Sequence, residues 1–115
     1  MHEIGIANSI IEASQAEAAR CAGSKLIKVG IRVGALSGVD RDALSFAFTA
    51  LTQGTDLDEV GFEIEYCSRR DRCLQCGHEF ESEIYSSPCP VCEAKDTALI
   101  GGNELDLAYV EVEEP

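Results

Sequence analysis

At 115 residues and 12.4 kDa the chain has room for one compact unit and a small subdomain, and its 45% hydrophobic content is that of an ordinary globular protein. The formal net charge of -12 is more selective: phosphate binding needs a basic face, so nucleic acid is disfavoured and a basic protein or a cation is favoured. Met1-His2-Glu3 leads into mixed Ile, Ala, Asn and Ser with no basic segment or long apolar run, so neither an export signal nor a membrane span is expected, and the setting is cytoplasmic and reducing.

Residues 3–22 read as an amphipathic helix, with Ile4, Ala7, Ile11, Ser14, Ala18 and Ala22 at three- and four-residue steps and Ile10 and Cys21 widening the stripe. Gly23 is placed to end it. From Leu26 to Val33 the pattern alternates, Ile27, Val29, Ile31 and Val33 against Lys28, Gly30 and Arg32, which predicts a half-buried strand. Gly34-Ala-Leu-Ser-Gly38 turns the chain, and Asp40 is positioned to cap a second helix carrying Leu44, Ala47, Phe48 and Leu51 on one face and ending near Gly54. Gly61 to Cys67 alternates again, Phe62, Ile64 and Tyr66 against Glu63 and Glu65. A last strand starts near Glu104, with Leu105, Leu107 and Tyr109 on one face; the phase slips at Val110 and Val112, which predicts a bulge.

Between those last two strands lie Cys73-Leu-Gln-Cys76 and Cys89-Pro-Val-Cys92. In a Cys-x-x-Cys knuckle the turn's amides point back at the first sulfur, and two facing knuckles make a closed tetrahedral four-sulfur site. Gly77 supplies the positive φ such a turn uses, and Pro90 stiffens the second knuckle. Zinc is the first choice of ion and iron the second, because rubredoxin-like electron carriers also use paired knuckles. A zinc-ribbon adaptor or nucleic-acid factor is the other alternative. Against nucleic acid, Arg69, Arg70, Arg72 and Lys95 are outnumbered by Asp71, Glu79, Glu81, Glu83, Glu93 and Asp96. The fold class is therefore α+β: two helices on a three-stranded mixed sheet, with an inserted four-cysteine zinc ribbon. Residues 1–66 and 101–115 form one domain and residues 67–100 the ribbon domain. No catalytic constellation emerges, so an enzyme is not expected.

The amino end carries a second signal. The Met1 amine, the His2 amide nitrogen and the His2 imidazole close a five- and then a six-membered chelate ring, a set that suits Ni(II) or Cu(II) in a square plane. Glu3 offers a fourth donor through its backbone nitrogen or carboxylate. Equally, a histidine at position 2 is a common solvated helix entry, and Glu3 suits a helix N-terminus by charge alone.

Taken together, Met1-His2-Glu3, Val33-Gly-Ala-Leu-Ser-Gly38, Leu44-Ser-Phe-Ala-Phe48, the two knuckles and the stretch from Gly102-Asn-Glu-Leu105 to Glu111-Val-Glu113 resemble the HypA/HybF hydrogenase-maturation nickel chaperones along essentially the whole chain. The resemblance implies a non-enzymatic metallochaperone. Nickel as cargo is held at the N-terminus through His2 with Glu3, and structural zinc by Cys73, Cys76, Cys89 and Cys92. It also implies work with a maturation GTPase and the large subunit of [NiFe]-hydrogenase, and for some members with urease maturation proteins. Where some relatives carry a further histidine after the second knuckle, this chain has Asp96-Thr-Ala-Leu-Ile, so no nickel donor is expected there. His78 is assigned to the ribbon surface, Cys67 to a half-buried strand and Cys21 to the core; Asp40 lies near nickel in some members, and helix capping explains it equally well.

Overall fold

The computed structural model describes residues 2–82 and 87–115. The elements run α1 (Glu3–Ala18), β1 (Lys25–Gly34), α2 (Arg41–Thr52), β2 (Gly61–Cys67), β3 (Arg69–Cys73), β4 (Glu79–Ser82), β5 (Thr97–Gly101) and β6 (Leu105–Glu113). They make two three-stranded sheets, ordered β2-β1-β6 and β4-β3-β5. In the first, β1 pairs parallel with β2 and antiparallel with β6, so the sheet is mixed as expected. The molecule is elongated, 54 × 27 × 16 Å. No helix among the described residues is long and apolar enough to cross a membrane.

Both helices lie on one face of the first sheet. Ala7, Ile10, Ile11 and Ala18 from α1 and Leu44, Ala47 and Phe48 from α2 close over Leu26, Val29, Ile31 and Val33, and Phe62, Ile64, Leu105, Leu107, Val110 and Val112 complete the core. Phe48 stacks on Phe62 at 4.5 Å between centroids, which locks α2 to β2. The Asp40 carboxylate accepts from the Asp42 and Ala43 amides at 2.9 and 3.1 Å, the cap the sequence predicts.

The first helix is shorter than its pattern. It ends at Ala18, and the chain tightens through turns in which the Ser24 hydroxyl donates to the Cys21 carbonyl at 2.6 Å and the Ala18 carbonyl at 3.3 Å. Cys21 and Ala22 therefore stand in solvent rather than on the buried stripe, and Ile4, in the first turn, is 58% exposed. Two strand assignments also change. A register break at Ile27 makes Leu26 the buried residue and leaves Ile27 37% exposed. The bulge foreseen in the last strand falls at Ala108, so Tyr109 leaves the face of Leu105 and Leu107. Its ring covers Gly30 on the outer side of the sheet, and its hydroxyl donates to Glu63 at 3.0 Å.

The turn after β1 sits against both crossings between the sheets. The Ala35 amide donates to the Cys67 carbonyl at 2.8 Å, Leu36 to Gly102 at 2.6 Å, and Gly34 to Glu104 at 2.7 Å. A Cβ on Gly34 would lie 2.2 Å from the Gly102 carbonyl oxygen, so only glycine permits this approach.

Candidate metal centre

The second sheet is a scaffold for sulfur. β3 ends at Cys73, the first knuckle turns, and the chain returns through β4; the second knuckle precedes β5, which pairs with β3 on the other side. The two knuckles use the same backbone bonds. Cys73 N donates to the His78 carbonyl at 2.8 Å and Cys89 N to the Ala94 carbonyl at 2.9 Å. Gly77 N returns to the Cys73 carbonyl at 3.0 Å and Glu93 N to the Cys89 carbonyl at 2.9 Å. The residue closing each turn is left-handed, Gly77 at φ 80° and Glu93 at φ 62°. The glycine is legible in the sequence; the matching glutamate is not.

The sulfurs of Cys73, Cys76, Cys89 and Cys92 all lie within 4.8 Å of one another, with Cys73–Cys92 at 3.4 Å and Cys76–Cys89 at 3.7 Å. Cys73 and Cys89 are buried, Cys76 and Cys92 exposed. Amides point at the first sulfur of each pair: Gln75 and Cys76 at Cys73, and Val91 at Cys89, all at 3.4 Å. The Cys76 amide, helped by Gln75, holds the Cys73 thiol down at about 6 against the effect of burial. At Cys92 the Ala94 amide also works downward, but the neighbouring Cys73 sulfur and burial outweigh it and push the thiol up to about 12. Four thiolates so close repel one another, and a central divalent cation would remove that conflict. The arrangement could hold one metal ion among its four sulfurs.

Below the cage, Asp71 is a buried carboxylate. Arg69 grips it through two nitrogens at 3.0 and 3.2 Å, and the Ser82 hydroxyl donates at 2.5 Å. Arg69 first, then Ser82, hold its carboxyl below the usual carboxylate range against burial. Nothing in the sequence marks this pair: the spacing of Arg69 and Asp71 gives no sign that the two are buried together. His78 stays out of the four-cysteine cluster as expected, exposed, its ring nearly parallel to that of Phe80 at 6.1 Å between centroids.

At the other end, His2 is exposed, and its carbonyl accepts the first helical bond from Ile6 at 3.2 Å. It borders two grooves, one of about 550 Å³ with Gly5, Ile6, Ser9, Ile10 and Leu105, and one of about 450 Å³ with Glu3, Ile4, Ala43, Phe46 and Ala47. The Glu3 carboxylate accepts from the Asp40 amide at 3.3 Å, so the start of α1 is tied to the start of α2. The Met1 amine, the first donor of the chelate set, lies outside the described residues. Cys67 is half-buried as expected, and burial pushes its thiol up.

The fold resembles two solved structures: the solution structure of the Ni metallochaperone HypA from Helicobacter pylori (TM-score 0.64, 22% identity, all of both chains covered) and a solution structure of HypA protein (TM-score 0.70, 22% identity, 100% and 98% covered). In sequence the chain is 37% identical over 113 residues to the hydrogenase maturation factor HypA of Geobacter metallireducens, spanning 98% of this chain and 100% of that protein. It is 38% identical over 105 residues to the factor of the same name from Geotalea daltonii, spanning 91% and 93%. Residues 1–112 match the family described as hydrogenase/urease nickel incorporation, metallochaperone, HypA. With a caged sulfur site, the fold of that family and identity along nearly its whole length, this chain belongs to the HypA family of nickel metallochaperones for hydrogenase maturation.

Proposed function

We propose that this protein carries Ni(II) at its amino end and zinc in its sulfur cage, the zinc holding shape while the nickel travels. Nickel is the cargo. The Met1 amine, the His2 amide and the His2 imidazole bind it, with Glu3 supplying the remaining donor. The observation that carries this reading is the contrast in access: His2 stands exposed at a helix entry, whereas the four cysteine sulfurs turn toward one another within 4.8 Å, with Cys73 and Cys89 buried. A nearly planar complex at a chain end leaves its faces open, so a ligand from a partner can attack along the axis.

The cage suits zinc by size. Zn–S bonds of about 2.3 Å in a tetrahedron set sulfurs about 3.8 Å apart, near the Cys73–Cys92 and Cys76–Cys89 spacings of 3.4 and 3.7 Å in a set that lies within 4.8 Å. Zinc would be held by Cys73, Cys76, Cys89 and Cys92 and would supply folding free energy rather than chemistry. We assign residues 1–66 with 101–115 to a nickel-binding domain and residues 67–100 to a zinc-ribbon domain. The partners are a maturation GTPase and the [NiFe]-hydrogenase large subunit, in the cytoplasm, and the protein acts as a carrier rather than an enzyme.

His2→Ala, or an N-terminal extension that blocks the amine, removes nickel and leaves one zinc per chain and the fold unchanged. Elemental analysis after nickel exposure tests this; undiminished nickel in either variant overturns the placement. Because a protonated amine cannot donate, nickel affinity falls as pH drops through the amine's reference range of about 7.7–8.0.

A further inference from the structure

Among the described residues the two sheets have four outer strands, β2 and β6 in one and β4 and β5 in the other. An outer strand presents unpaired backbone N–H and C=O groups, and proteins commonly guard that row with charge. Here β2 carries Glu63 and Glu65, β6 carries Asp106, Glu111 and Glu113, and β4 carries Glu79 and Glu81. β5, Thr97-Ala98-Leu99-Ile100-Gly101, carries none. Its apolar side chains also lack cover: Leu99 is 45% and Ile100 39% exposed. Leu74, 57% exposed, adjoins the start of the strand, its amide donating to the Asp96 carbonyl at 2.9 Å. Against these, the ribbon's buried cluster among the described residues holds Phe80 as its one large apolar side chain, beside Cys73 and Cys89.

We propose that β5 is a docking edge, to which an extended segment of another protein adds as a further strand. The segment sets apolar side chains against Leu74, Leu99 and Ile100, and carries basic residues on its flanks. The occupant's charge follows from the chain's own: a second copy brings a further -12 to the contact, whereas a basic segment is drawn to it. Main-chain pairing gives such a contact its geometry and alternate side chains give it selectivity. The register break at Ile100 and the short run of the strand confine pairing to a few residues rather than open-ended stacking. This edge is a feature of the ribbon and does not depend on where nickel binds.

The test uses the full, zinc-loaded chain, isotopically labelled, and two short peptides sharing an alternating Val/Thr centre, one flanked by lysines and one by glutamates. The lysine peptide is expected to shift the amides of Leu74 and residues 97–101, and the glutamate peptide to bind at least about tenfold more weakly. Leu99→Lys, with Ile100→Lys as a second variant should the first disturb the ribbon spectrum, abolishes the shifts. The proposal is overturned by silence at β5 up to about 1 mM lysine peptide, by equal binding of the two peptides, or by shifts confined to the grooves beside His2. Concentration-dependent shifts at β5 without peptide would assign the edge to a second copy and overturn it as well.

Discussion

Glu93 and Gly77 occupy the same place in two copies of one turn, yet only one of them is built for it. A side chain in the left-handed region costs about 1–2 kcal/mol relative to glycine, and no atom lies within 4 Å of where a Cβ on Gly77 would stand. Conformation alone therefore sets the difference. Glu93→Gly is expected to stabilise the metal-loaded protein by about 1 kcal/mol and Gly77→Ala to destabilise it by a similar amount, both read from thermal unfolding with metal in excess. Gly34 is a steric case. Its missing Cβ is what brings the turn after β1 onto the Gly102 carbonyl, and there backbone, not a flexible side-chain end, would have to yield. Gly34→Ala should cost roughly 3 kcal/mol or more in denaturant unfolding; a loss below half of that would mean the joint between the sheets is softer than its contacts imply.

At the scale of elements, the ribbon sheet is held by polar contacts that larger sheets leave to apolar ones. Asp71 lies between Arg69 and Ser82, fully buried, on a strand with little hydrophobic cover. Removing its charge leaves a guanidinium partly desolvated, so Asp71→Asn is expected to cost about 3 kcal/mol and Ser82→Ala about 1 kcal/mol. The sign with pH follows from the depressed carboxyl. The stability it contributes is complete above the ordinary carboxylate value of 3.8 and is lost as pH falls through the lower folded value. Between about pH 5 and 8 the carboxylate is ionised in both states, so the Asp71→Asn deficit should be constant across that window; a deficit that changes there would point to another titrating group. The helical layer has a different basis, in apolar stripes and the Phe48–Phe62 stack, and neither substitution should disturb it.

For the whole molecule, the two sheets hold together for unlike reasons. Among the described residues, the first has a core of eleven buried side chains and the second has Cys73, Cys89 and Phe80. Structural zinc sites contribute on the order of 10–16 kcal/mol of apparent binding free energy in small peptides, far beyond what one phenylalanine offers. Chelation should therefore unfold residues 67–100 while amides of the helices and of β1, β2 and β6 keep their native shifts. A chelated sample with an intact ribbon spectrum would refute this division of labour. In an elongated body, the segments near Cys67, Gly102 and the turn from Gly34 to Leu36 join the two sheets among the described residues and would then transmit the loss.

The order of the two helices and the strands β1, β2 and β6, the strand Gly61–Cys67, the cap at Asp40 and the two cysteine knuckles all follow from local pattern, because each depends on spacing within a few residues. The family was legible for the same reason, its motifs being short and in order. Tertiary structure decided the rest. It ended α1 at Ala18, exposed Cys21, and moved Ile27 and Tyr109 to the outer face through two breaks in strand register. It also built a second sheet from strands too short and too charged to show a period, and paired Arg69 with Asp71 inside it. A bulge, a buried ion pair and an uncovered edge are properties of neighbouring strands, and neighbours distant in sequence are what a one-dimensional pattern does not contain.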